Sequence, residues 1–229
     1  MIIALVPAKA LDQAKGRLAA LLGEDERRQL ALAMLEEVIE ALKAVPRPDG
    51  RPSGRIDLTA VVSPDAEALA LARKLGAEAI AEPPSVRGLN QALSHAAGVL
   101  ASRRPDALLV IPADIPGVSH GDVDGVLDAL PPDRGVVIVP SRDRGTGALA
   151  LRPPDAIRFH FGPQSSIAHR REAAARGLPA RVLRIEALAA DIDGPDDLLD
   201  FLARPGDSAT RRLLGKFGLA ERLGAARSR

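Results

Sequence analysis

Lys9, Lys15 and Arg17 fall within nine positions, and Asp12 is the only acid among them. They follow an apolar run, Ile2 to Val6, that breaks at Pro7 in the stretch LVPAKALDQAKGRL. Cations gathered so closely suit a polyphosphate, with backbone N–H groups near Gly16 as neutral donors, although a solvated basic loop would look the same. The phosphate patterns GxxxxGK[ST] and GxGxxG are both absent. That sets aside the kinase-type P-loop and the dinucleotide fold.

A second chemical feature is Asp114, three residues past Ile111, where the run ALLVI gives way to PADIPG. A carboxylate at the tip of a strand can hold a divalent cation against phosphate oxygens; a turn or cap is the plainer use. One carboxylate holds magnesium weakly, so a second acid should converge. The stretch ALAADIDGPDDLLDFL supplies Asp191 first and Asp193 second. Asp196 and Asp197 fall in the first turn of the helix opened by Pro195, where the helix dipole explains them without a metal.

Three further stretches carry polar groups beside glycine. Arg87-Gly88-Leu89-Asn90 lies at a loop-to-helix junction, with Asn90 as an ordinary cap or the junction as a reader of a nucleotide base or sugar. Gly145-Thr146-Gly147 lies between two strands and reads most simply as a hairpin turn. Gly162 precedes Ser165 and Ser166 at a helix start, where N–H groups and hydroxyls could take an anion or merely cap the helix. His169, with Arg170 and Arg171, reads as part of a solvated helix face.

Strand-length apolar runs alternate with helical patterns. The strands are Ile2–Val6, Leu58–Val62, Ala77–Ala81, Ala107–Ile111, Val136–Val139, Ala148–Leu151 and Val182–Ile185. Helical spacing covers Glu24–Val45, Asp65–Leu75, Leu89–Arg103, Ser119–Leu130, Ser165–Arg176 and Pro195–Leu202, with a Pro/Gly loop at Pro46–Arg55. The alternation predicts an α/β fold: a mostly parallel central sheet with helices on both faces, and an antiparallel edge element after Pro140. In such sheets ligands bind beyond the carboxyl ends of the strands, where the Pro7–Arg17 loop and Asp114 would both lie. Residues 1–203 read as one domain. Residues 204–229 form a basic tail, seven Lys/Arg against two Asp/Glu, read as helical with a disordered end.

Composition closes off other classes. Net charge is +1 and there is no Trp or Tyr, so neither a basic nucleic-acid surface nor a base-stacking platform is expected. There is no cysteine, hence no disulfide, zinc ribbon or thiol chemistry. No signal-peptide pattern or membrane-length apolar run is found, so a cytoplasmic protein without membrane attachment is expected.

Taken in order, VPAKALDQAKGRL, RGLNQA, ADIP, GTGAL, FGPQSSIAH and DIDGPDDL resemble the 2-phospho-L-lactate or phosphoenolpyruvate guanylyltransferases of coenzyme F-420 biosynthesis, over about Ile2 to Leu202. That family has the Rossmann-like, three-layer nucleotide-diphospho-sugar transferase fold. The resemblance implies that Pro7, Lys9, Lys15 and Arg17 meet GTP, with Lys15, Arg17 and Asp114 catalytic. It places Arg87, Gly88 and Asn90 near the guanosine, and Thr146, Gly162 and Ser165 at the phospho-acid. It implies Mg2+ on Asp114 with Asp191 or Asp193. The family more often has Ser at Gly16, Asn at Gly147 and FGPGSF where this chain has FGPQSS; Gly147 and Gln164 flank the inferred acceptor pocket. The reaction implied joins GTP and phosphoenolpyruvate, or 2-phospho-L-lactate, with loss of pyrophosphate. The alternatives are transfer to a sugar phosphate or molybdopterin, or a non-catalytic GTP-binding regulator. The tail could dock on a second copy, giving a homodimer, or on the next pathway enzyme.

Overall fold

The run at the start of the chain is apolar at every position because both its faces are covered. Ile3 and Leu5 enter one buried cluster, Ala4 and Val6 another, and all four are at most 1% exposed. The computed structural model describes residues 1–43, 56–219 and 222, so the Pro46–Arg55 stretch and the end of the basic tail lie outside the described residues.

The strands are β1 (Ile2–Pro7), β2 (Ile56–Ser63), β3 (Glu78–Ala81), β4 (Ala107–Val110), β5 (Gly135–Pro140), β6 (Thr146–Arg152) and β7 (Ala180–Val182). They form one sheet in the order β3-β2-β1-β4-β6-β5-β7. The antiparallel element expected after Pro140 is β6, which runs against both its neighbours two strands in from the β7 edge. The remaining pairs are parallel.

The helices are α1 (Glu24–Ala41), α2 (Ala66–Lys74), α3 (Leu89–Leu100), α4 (His120–Ala129), α5 (Ser165–Ala175), α6 (Pro195–Ala203) and α7 (Ala209–Lys216). One face of the sheet is covered by α1, α2 and α4 through Leu35, Val38, Ala68, Val123 and Val126. The other is covered by α3 and α5 through Leu93, Ala96, Leu100 and Ala173. A third apolar cluster stands apart from the sheet clusters and joins four parts of the chain: Leu18 and Leu22, Leu30 and Met34 of α1, Ile192 with Leu198 and Phe201 of α6, and Leu214 of α7.

The last strand differs from its expected position. It spans Ala180–Val182 rather than Val182–Ile185, and all three residues are exposed. The apolar residues that suggested the later span, Leu183 and Ile185, pack on the sheet cluster as the chain leaves β7. No described helix is long and apolar enough to cross a membrane.

Candidate active site

The loop after β1 is pinned at three points. Ala8 N–H donates to the Val62 carbonyl at 2.9 Å, extending the β1–β2 ladder. Leu11 N–H donates to Asp65 Oδ2 at 3.1 Å, while the other oxygen of Asp65 caps α2 through Glu67 and Ala68. Leu18 is sealed at 0% exposure in the third cluster. Between these anchors Lys15 takes the left-handed conformation, φ 55°. That costs a non-glycine residue on the order of 1 kcal/mol and is kept only where the surroundings fix it.

What fixes it is two carboxylates. Lys15 Nζ lies 3.0 Å from Asp114 Oδ2 and 3.4 Å from Asp193 Oδ1, and its side chain is only 5% exposed. Asp114 sits on the loop that continues β4, where Ala113 N–H still donates to the Pro7 carbonyl at 3.2 Å. Ile192 N–H donates to the Asp114 carbonyl at 3.2 Å, which draws the Asp191–Asp193 segment onto the same spot. Leu18 and Ile192 share the third cluster, so one apolar contact region brings the basic loop and the acidic segment together. Asp197 accepts N–H bonds from Asp193 at 3.1 Å and Gly194 at 2.8 Å, so its use is to cap α6.

The charges at this spot are unequal. Burial alone would raise the Asp114 carboxyl. The Lys15 ammonium, by charge and by hydrogen bond, with Lys9 behind it, holds it below the usual carboxylate range. Asp191 has no such relief: burial first, then repulsion from Asp114 and Asp193, pushes it up to about 6. Three carboxylates crowding one lysine are short of positive charge, which suits a hard cation. Among the described residues no three His, Asp or Glu side chains close into a finished metal cage. Magnesium seldom uses one; it is commonly held by one or two carboxylates together with substrate phosphates. The donor set Asp114, Asp191 and Asp193 therefore fits Mg2+. Lys9 and Arg17 are exposed, and Pro7 ends β1 in register with Val62.

The RGLN junction is built differently from expectation. Gly88 is the N-cap of α3, at φ 77°. Asn90 stands inside the helix and bridges to another loop: its Nδ2 donates to the Phe161 carbonyl at 2.9 Å, and its Oδ1 accepts Phe161 N–H at 2.7 Å. Its amide is a strut between the 87–90 and 159–162 loops rather than a cap. The Arg87 guanidinium turns back on the Pro84 and Val86 carbonyls.

On the remaining side lie Thr146, the first residue of β6, and Ser165, the first of α5; their hydroxyls are 2.8 Å apart. Gly162 is exposed at φ 133°, and nothing stands within 4 Å of where its Cβ would be, so open space lies beside it. The helix start does not supply free backbone donors. The N–H groups of Ser165, Ser166 and Ile167 go to the carbonyls of Gly162, Arg144 and Gln164, so these three do not serve an anion. Gln164 takes the left-handed conformation, φ 57°, that glycine favours.

His169 corrects the sequence reading outright. It is 0% exposed, not on a solvated face. The buried side of α5 is Ser165, Ser166, His169 and Ala173, at helical spacing but mostly polar, so apolar periodicity could not reveal it. His169 Nδ1 is 3.1 Å from Thr146 Oγ1.

Gly147 ties the two halves together. The Leu188 carbonyl oxygen lies 1.6 Å from where a Cβ on Gly147 would stand, so only glycine permits this approach. Thr146 is thereby held against the turn that leads to Asp191. Sequence reasoning also missed Asp65 and Glu37. Glu37 on α1 accepts N–H bonds from Gly117 at 3.1 Å and Thr210 at 2.6 Å. Both acids look like ordinary helix residues in sequence. A groove between α1, α2 and α7 shares no residue with this site.

The fold is that of the nucleotide-diphospho-sugar transferases. The chain is similar to a putative nucleotide-diphospho-sugar transferase from Desulfovibrio desulfuricans G20, with TM-score 0.71 at 18% identity over 96% of this chain and 97% of that one. The chain belongs to the family described as guanylyl transferase CofC like, whose model matches residues 2–227. It is 44% identical to the phosphoenolpyruvate guanylyltransferase of Sphaerobacter thermophilus, over 86% of this chain and 90% of that protein. It is 36% identical to the 3-phospho-D-glycerate guanylyltransferase of Phenylobacterium zucineum, over 88% and 89%.

Proposed function

We propose that the protein is a magnesium-dependent guanylyltransferase joining GTP to a three-carbon phospho-acid, with phosphoenolpyruvate the leading acceptor. The observation that carries this is the meeting of Asp114, Asp193 and Lys15 beyond the ends of the parallel strands, with Asp191 crowded beside them. A phosphate oxygen of the acceptor attacks the α-phosphorus of GTP in line, the bond to the β-phosphate bridging oxygen breaks, and pyrophosphate leaves. A phosphate monoester is already ionised at neutral pH, so no residue need remove a proton. The obstacle is repulsion between two polyanions, and catalysis is positioning and electrostatics.

Lys9, Lys15 and Arg17 are assigned to the GTP phosphates, and Pro7, Arg87 and Gly88 to the nucleoside. Asn90 holds the loop that bears Arg87 and Gly88. Thr146, Gly162 and Ser165 are assigned to the phospho-acid. A magnesium ion on Asp114 with Asp191 or Asp193 would neutralise charge between acceptor and α-phosphate. Lys15 holds Asp114 and Asp193 together while the substrates are absent. Its ammonium can then follow the departing pyrophosphate.

The test is pyrophosphate release from GTP with phosphoenolpyruvate, 2-phospho-L-lactate and 3-phospho-D-glycerate in turn. Asp114→Ala should lower turnover about 10²–10³-fold. Undiminished release by that variant refutes the metal assignment; no release by the unaltered protein with any of the three acids refutes the acceptor class.

A further inference from the structure

One group next to the acceptor side has no part in the chemistry above: the imidazole of His169, which touches the hydroxyl pair assigned to the phospho-acid. His169 Nε2 accepts the N–H of His160 at 2.9 Å. That nitrogen must therefore carry a lone pair, and a neutral ring then carries its hydrogen on Nδ1. Nδ1 faces Thr146 Oγ1 at 3.1 Å and donates to it. Thr146 thus receives a hydrogen bond, and its own hydrogen needs an acceptor. Among the described residues its remaining hydroxyl contact is Ser165 Oγ, at 2.8 Å. The run of donors is His160 N–H, His169 Nδ1–H, Thr146 Oγ1–H, each to the next. It ends at Ser165, whose hydroxyl hydrogen has no further acceptor among the described residues.

Burial keeps the ring neutral. It pushes the His169 imidazole down to about 4, His160 adds to this, and Glu172 opposes it. Phe161 lies edge-on to the ring, with centroids 5.2 Å apart. Glu172 is engaged by His160, by Arg158 N–H at 3.2 Å and by Arg176 at 2.7 Å. The N–H groups of Ser165, Ser166 and Ile167 are spent, and Ser165 is only 1% exposed, so its left-over hydroxyl hydrogen serves an anion seated directly against it.

We propose that His169 is a positioning residue: by fixing its tautomer it orients Thr146 and so leaves Ser165 as a hydrogen-bond donor to an oxygen of the phospho-acid lodged beside Gly162. The inference rests on the assignment of Thr146 and Ser165 to the acceptor.

The first measurement needs no turnover. Nitrogen-15 NMR of the four histidines should show one ring protonated on Nδ1 with a bare Nε2, and that signal should vanish in a His169 variant. A His169 ring protonated on Nε2 would overturn the relay. The second measurement uses two near-isosteres. The amide of His169→Asn stands near Nδ1 and can still donate to Thr146; that of His169→Gln stands near Nε2 and cannot. His169→Gln should raise the KM for the phospho-acid about tenfold, as for one lost hydrogen bond, with the KM for GTP unchanged. His169→Asn should recover most of that loss.

Equal losses in both variants, or a matching rise in the KM for GTP, point to plain structural damage and overturn the proposal. If neither variant folds by thermal melt, Thr146→Ser should keep the acceptor KM and Thr146→Val should raise it. Where His169→Gln does fold, a rise in Thr146→Val without one in His169→Gln would sink the relay alone. No change in either would sink the assignment of this pocket to the acceptor.

Discussion

Lys15 holds a left-handed backbone and a buried ammonium between two carboxylates, while Asp191 is left to carry its charge unrelieved. Neutralising one of the crowded acids should help the resting protein. Asp191→Asn is expected to melt a few degrees higher than the unaltered chain in magnesium-free buffer. Added magnesium should raise the melting temperature of the unaltered chain and leave the variant nearly unmoved. A variant that melts lower would contradict the crowding.

His169 provides a pH test with the opposite chemistry. Its folded value near 4 lies below the ordinary 6.5, so the unfolded chain binds the proton more readily. The stability it contributes is whole above about pH 6.5 and is lost as pH falls toward 4, by about 3 kcal/mol at most. Asp191, raised in the folded state, works in the other direction over pH 4 to 6. The informative quantity is the difference in urea stability between the unaltered chain and His169→Asn, which should shrink between pH 7 and pH 4.5. A constant gap would show that burial does not hold the ring neutral.

At the scale of elements, β6 and the turn before Asp191 behave as one piece because Leu188 presses on Gly147. Gly147→Ala must push that turn away, shifting Thr146 and Asp191 apart. Activity should fall at least tenfold, and both substrates should suffer, since the turn serves both halves of the site. A fully active alanine variant would show the contact to be incidental.

The layered sheet was readable because Ile2–Val6 and Ala107–Ile111 are buried on both faces, which writes itself as unbroken apolar runs. A later acid near Asp114 was expected from the weak hold of one carboxylate on magnesium; the Ile192 hydrogen bond and the third cluster that bring Asp193 close carry no sequence signal of their own. Parts carried by polar contacts were not readable. His169 hides because the buried side of α5 is serine and histidine. Asn90 looks like a cap and is a strut to Phe161. Asp65 and Glu37 reach distant N–H groups that no local pattern announces. The edge strand β7 is exposed throughout, and the partly buried apolar side chains that drew the expected span onward, Leu183 and Ile185, lie beyond it.

Over the whole molecule, the third cluster draws on the first loop, α1, α6 and α7, so the far end of the chain stabilises the lip of the site. Leu214 is wholly buried there. Leu214→Ala should cost about 2–4 kcal/mol in denaturant stability. Because Leu18 and Ile192 share that cluster, turnover should fall by more than the lost folded fraction accounts for. Full specific activity in the remaining folded protein would separate the cluster from the site. Arg211 secures the same region by donating to the carbonyls of Phe201, Leu202 and Arg204 at the end of α6.

The Glu37 carboxylate, clasped at once by the amides of Gly117 and Thr210, has a practical corollary. Anyone trimming a minimal catalytic core by cutting after α6 would release one of its two oxygens. An unspent negative charge would then face the very loop that bears Asp114, and a shortened version would start life electrostatically mistuned at its most sensitive corner.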